Sequence, residues 1–99
     1  MRAIDRATRW SQYLQEAGFT VETTTNTKFG IEWRVFKATL GHRTLWFSIN
    51  MSSPRTKFGA GYSTFCGSGR HTTAPGAMAR MIFSEIELVN YTRRQEVSA

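Results

Sequence analysis

Between Glu32 and Glu85 the chain contains no acidic residue. Half of the sequence therefore offers no carboxylate for acid–base catalysis or for holding a hard cation. The same stretch holds Arg34, Lys37, Arg43, Arg55, Lys57, Arg70 and Arg80, together with His42 and His71. The flanking segments nearly cancel their own charges, so the net charge of +6 belongs to the centre of the chain. A field of one sign on a small surface draws polyanions and speeds their encounter.

Cysteine is almost absent as well. Cys66 stands alone, which excludes an intramolecular disulfide and any multi-cysteine zinc site. The order His42, Cys66, His71 matches no common metal-ligand spacing, and no metal or other cofactor is expected. No apolar run exceeds three residues, as in Leu45-Trp46-Phe47 and Met81-Ile82-Phe83. That is far too short for a membrane span. Residues 1–20 hold Asp5 and Glu16 and lack the apolar segment of a signal peptide, so a cytosolic location is expected, with no membrane partner. At 99 residues, 40% apolar, 13% aromatic and with only two prolines, the chain fits a single globular domain, residues 1–99, built around one core.

The pattern of apolar positions gives a coarse order of elements. Ala7, Trp10, Leu14 and Ala17 form a helical stripe over residues 4–17, with Asp5 at the start and Gly18 beyond the end. Alternation takes over at 19–24, and residues 25–30 read as a loop. Strands are expected at 31–40 and 44–52, joined tightly through Gly41-His42-Arg43. In the second of these, Leu45, Phe47, Ile49 and Met51 alternate with Thr44, Trp46, Ser48 and Asn50. A loop at 52–57 and a strand at 58–66 follow. The last helix carries the stripe Met78, Ile82, Ile86 and Val89, has Pro75 in its first turn and Thr73 as its cap, and is expected to end near Tyr91 or Arg93 with residues 95–99 frayed. The expected fold is α+β: an N-terminal helix, a four-stranded antiparallel sheet and a C-terminal helix, with both helices on one sheet face and the other face open.

Little in the sequence resembles an active site. A Ser/His/Asp arrangement would have to recruit its acid from a flank, and nothing in the spacing holds Cys66 against either histidine. We therefore expect no enzymatic activity and no catalytic residue. The run Gly67-Ser68-Gly69-Arg70-His71-Thr72-Thr73 could place backbone N–H groups around a phosphate at a helix start. It matches neither a Walker loop nor a dinucleotide fingerprint. In outline, helix, sheet and helix with Gly-x-Gly-Arg before the last helix resemble a double-stranded RNA-binding domain over roughly residues 5–90. That family implies a lysine pair at the start of its second helix, and Thr72-Thr73-Ala74-Pro75-Gly76-Ala77 has none, so membership is not claimed.

Aromatic residues interleave with the cations: Trp33-Arg34, Phe36-Lys37, Arg43 near Trp46, and Lys57-Phe58. Single-stranded nucleic acid is bound by such compositions, because bases stack on rings while cations follow the backbone. The first functional expectation is a small nucleic-acid-binding module using a strand-and-loop surface over residues 34–71. Arg34, Lys37, Arg43, Arg55, Lys57 and Arg70 would contact phosphates, and Trp46, on the polar side of its strand, would stack. The rival expectation is a non-enzymatic inhibitor or adaptor, such as a phage-type inhibitor of a host enzyme, that docks on an acidic protein surface. Arginine and aromatic side chains suit protein hot spots too. An exposed apolar area around Trp46 or Phe65 would favour docking, and an unbroken arginine stripe would favour nucleic acid.

Overall fold

The computed structural model describes the backbone of residues 3–52, 58–63, 69–72 and 75–98, and the side chains of residues 3–52 and 76–96. Its elements are α1 (Ala3–Glu16), β1 (Thr20–Lys28), β2 (Ile31–Leu40), β3 (Arg43–Asn50), β4 (Phe58–Ser63), β5 (Gly69–Thr72) and α2 (Pro75–Ser98). The fold is α+β, with a helix at each end of an antiparallel sheet. The strands follow one another as a meander in the order β1-β2-β3-β4-β5.

Helix α1 buries Ala7, Trp10 and Leu14, the stripe that its 3.6-residue period predicts. Its end is built by local chemistry. Gly18 sits at φ +105°, where a side chain would be strained. Its N–H donates to the Gln15 carbonyl at 3.0 Å, and the Phe19 N–H donates to the Leu14 carbonyl at 2.9 Å. This pair of bonds is a Schellman cap. It turns the chain into β1 and delivers Phe19 to the core beside Leu14. A Cβ at Gly18 would also collide with the Arg93 guanidinium, so a cation of α2 lies over the negative end of the α1 dipole.

Two tight turns set the register of the sheet. Lys28 pairs with Ile31 across Phe29-Gly30, and both turn residues have positive φ, as a type I′ hairpin requires. Leu40 pairs with Arg43 across Gly41-His42, and there only Gly41 is at positive φ. The resulting register places Phe36 opposite Phe47 and Ala38 opposite Leu45, with all four buried. The Phe36 and Phe47 rings stack at 5.0 Å, and Trp10 of α1 meets Phe47 edge-on at 5.7 Å. Met78, Ile82 and Val89 of α2 complete this core.

Several boundaries differ from those expected. Residues 25–28 belong to β1, which runs four residues into the expected loop because every position from Thr20 to Lys28 has a partner on β2. Their side chains are exposed, so no burial pattern marked them as strand. A fifth strand appears where the sequence suggested a glycine-rich connection: Gly69–Thr72 pairs with β4 from Ser63↔Gly69 to Ala60↔Thr72. Of the glycine-rich run 67–73, residues 69–72 are therefore strand, and residues 67, 68 and 73 lie outside the described residues. The Thr73 cap lies outside the described residues. Helix α2 continues to Ser98, and residues 95–98 are helical rather than frayed. Arg93, Arg94, Gln95 and Glu96 are good helix formers, and neither glycine nor proline interrupts them.

Candidate functional site

Alternation along each strand sorts the sheet residues onto two faces. One face carries Phe36, Ala38, Leu45, Phe47 and Ile49 and is filled by the helices. The other carries Trp33, Val35 and Lys37 from β2 and Thr44, Trp46, Ser48 and Asn50 from β3. None of these seven side chains is fully buried. The register brings Lys37 directly opposite Trp46, Val35 opposite Ser48, and Trp33 opposite Asn50. On the far side of β3, Trp46 lies opposite Gly61 and Ser48 opposite Gly59. Gly61 and Gly59 contribute no side chain beside Trp46, and 38% of the residue is exposed. On the near side, Glu22 stands opposite Lys37 and ends the row.

The residues expected to contact phosphate are divided by this geometry. Lys37 is exposed on the open face next to Trp46. Arg43 falls on the helix-facing side, in phase with Leu45 and Phe47, and its Nη1 donates to Glu85 Oε2 of α2 at 2.9 Å. Its side chain is 31% exposed against 11% for Glu85, so the pair sits at the edge of the core. Arg34 pairs with Ile49 and is half-buried, also on the helix-facing side. Arg43 and Arg34 thus do not continue a stripe with Lys37. Arg34 is an odd number of residues from Lys37, and Arg43 is an odd number from Trp46, the residue opposite Lys37, so both fall on the other face. The backbone of Arg70 pairs with Tyr62 in β5, and its side chain lies outside the described residues. Arg55 and Lys57 lie wholly outside them.

Two features of the site were missed from sequence. Glu85 occupies the apolar stripe of α2, at the i, i+4, i+7, i+11 positions of Met78, Ile82, Glu85 and Val89. A carboxylate in such a stripe needs a partner, and its position among apolar residues was the available signal of an ion pair at the core. The second is Phe29 at the β1–β2 turn, a residue 91% exposed. Its backbone stands at φ +54°, a conformation uncommon for residues other than glycine and asparagine.

A separate apolar area lies on the helices. Tyr13 of α1 contacts Phe83 of α2 at 5.7 Å between ring centroids, and both are exposed, as are Leu88 and Tyr91. A shallow groove beside them is lined by Tyr13, Glu16, Ala17, Phe83, Ile86 and Asn90. Among the described residues no three of histidine, cysteine, aspartate and glutamate gather as a metal site would need, and no helix is long and apolar enough to cross a membrane. No family model, curated protein or solved structure matches the chain.

Proposed function

We propose that the protein is a cytosolic, non-enzymatic module that binds single-stranded nucleic acid across the open face of the sheet. The observation that supports this reading most directly is the cross-strand pair of Trp46 and Lys37. An exposed indole offers a stacking surface to any base, and a cation one strand away lies within reach of the phosphate that follows it. Trp33 supplies a second indole on the same face. Thr44, Ser48 and Asn50 supply hydrogen-bonding groups for base edges or sugars. Arg55, Lys57 and Arg70 are the further phosphate contacts in this reading, and the net charge of +6 provides long-range attraction. Arg43 is assigned to the fold through Glu85, and Arg34 is placed outside the contact set.

A second reading has its own support. Tyr13 and Phe83 are in ring contact and both exposed on the helical layer, and a protein-docking inhibitor or adaptor would use such an area. The broken arginine stripe also leans this way. Around Trp46, however, the neighbours on β2 and β3 are Lys37, Thr39, Thr44 and Ser48 with Val35 as the one apolar side chain, and a glycine stands opposite on β4. A protein hot spot usually has an apolar surround that excludes water, whereas this mixture of ring, cation and hydroxyls suits a nucleotide.

Fluorescence anisotropy with labelled single-stranded and double-stranded DNA and RNA, repeated over a salt series, tests the proposal. Saturable binding to single strands is expected, with affinity falling by about 0.7 log units per log unit of salt for each phosphate contacted. Trp46→Ala is expected to weaken it about 5- to 100-fold, the usual effect of losing one base-stacking ring. Absence of saturable binding near physiological salt, or binding to duplex alone, would overturn the proposal and turn attention to the helical surface.

A further inference from the structure

We propose that the β1–β2 hairpin is an arm that extends the stacking platform, with Phe29 at its tip as a third ring for a nucleic-acid base. This rests on the reading of the open face as a single-strand site. Two unfavourable features coincide at Phe29: a left-handed backbone at φ +54° and a large apolar side chain on a residue 91% exposed. Glycine or asparagine would relieve both. No core contact explains why phenylalanine stands there, since Phe29 is absent from the buried cluster and from the side chains packed against it. Strain and exposure together at one turn position point to contact rather than packing.

The geometry of the arm suggests what that contact is. Ile31, Trp33, Val35 and Lys37 alternate along β2 on the open face, so the face with Trp46 continues to the turn. From Lys37, opposite Trp46, to Ile31 at the turn is six residues of strand, or roughly 20 Å. Trp46 and Trp33 lie on this face, and Phe29 stands at the turn where the same hairpin ends. The outer strand of the arm, residues 23–27, consists of Thr23, Thr24, Thr25, Asn26 and Thr27, all exposed. At the tip, Lys28 Nζ stands 5.8 Å from the centroid of the Phe29 ring. One ring and one cation, beside a row of hydroxyl and amide side chains, match a base and its phosphate. A protein pocket would ask for an apolar collar around the ring, and among Thr27, Lys28, Gly30, Ile31 and Glu32 only Ile31 is apolar.

The experiment is a length ladder. Single-stranded oligonucleotides from about 4 to about 16 nucleotides, the range of single-strand site sizes, are titrated against the wild-type chain and Phe29→Asn. Asparagine tolerates the left-handed backbone, so the hairpin is retained, and thermal melting of both proteins checks it. Phe29→Gly serves as a second variant with the same tolerance. The wild type is expected to gain affinity once the oligonucleotide is long enough to reach from Trp46 to the tip. Both variants are expected to keep the short-oligonucleotide affinity and to lose about 5- to 100-fold on the long ones. A 2-aminopurine base placed near the end of a long oligonucleotide is expected to report stacking with the wild type and to lose that signal with the variants. Equal affinities for wild type and variants at every length would overturn the tip while leaving the open-face reading intact. Uniform weakening at every length would also overturn it, because a ring at the far end cannot affect ligands that never reach it. No binding by the wild type at any length would remove the open-face reading, and the tip would fall with it.

Discussion

The two faces of the sheet are built from adjacent residues in the same strands, yet they have opposite chemistry. Phe47 and Trp46 are neighbours in β3. Phe47 is fully buried, stacked on Phe36 and met edge-on by Trp10, while Trp46 is partly exposed between Lys37 and a glycine. Cations divide in the same way: Arg43 is drawn to Glu85 at the core edge, and Lys37 is exposed to solvent. A count of positive charge over residues 34–71 treats all of these as equivalent. Strand periodicity shows that they are not, since charges an odd number of residues apart on one strand cannot share a surface. The size of the net charge is thus a poor measure of the charge any one partner meets.

The sharpest way to break this contrast is to truncate the two neighbouring aromatic residues of β3 in turn. Phe47→Ala is expected to cost about 3–5 kcal/mol, the usual range for removing a buried aromatic side chain. In a domain of this size that is a large share of total stability, so a strong loss of cooperative melting is expected in a thermal scan. Trp46→Ala is expected to cost under about 1 kcal/mol, the scale of one cross-strand pair, and to act on ligand affinity instead. Comparable destabilisation by both would show that the open face is structural.

The Arg43 and Glu85 pair comes next in size. Arg43→Ala leaves the Glu85 carboxylate near the core without its donor, at a cost of about 1–3 kcal/mol in a denaturant titration. Arg43→Ala with Glu85→Ala removes the stranded charge, and a cost smaller than the sum of the two single changes is expected. Lys37→Ala carries no such penalty. It is expected to leave stability unchanged to within about 0.5 kcal/mol and to reduce the salt slope of single-strand binding by about 0.7. If Arg43→Ala altered the salt slope and Lys37→Ala did not, the assignment of the two faces to fold and function would be reversed.

Much of this arrangement could be read from the residues, and the parts that could not share a cause. Helix α1, its Gly18 stop and the β2–β3 hairpin were legible because burial on one side writes a period into the sequence. Strand β1 beyond Thr24 was not, because its side chains are exposed on both sides and its order comes from pairing with β2. The run of threonines, with its preference for extended backbone, was the available clue. Strand β5 lies in a glycine-led tetrapeptide, where periodicity has too few residues to register. The sheet faces were legible in principle for Trp46, but the phosphate set assembled by charge alone joined Lys37 to Arg34 and Arg43 across the sheet. Glu85 shows the converse: a single carboxylate within an apolar stripe announces a cationic partner, which a count of charge along the chain does not reveal.

The smallest expected effect concerns the hairpin and runs opposite in sign to the others. Phe29 stands at a positive φ that costs a residue with a side chain on the order of 1 kcal/mol, and glycine escapes that cost while losing more chain entropy on folding. Its ring gives nothing back to the core, being almost wholly exposed. Phe29→Gly is therefore expected to leave stability unchanged or to raise it by about 0.5 kcal/mol, measured by denaturant titration with the slope held common to both proteins. Such a result would show that the ring does not support the fold, in keeping with a contact role at the tip. If Phe29→Gly instead destabilised the protein by more than about 1 kcal/mol, the ring would be part of the hairpin's own support, and the contrast between a structural face and a contact face would stop short of the tip.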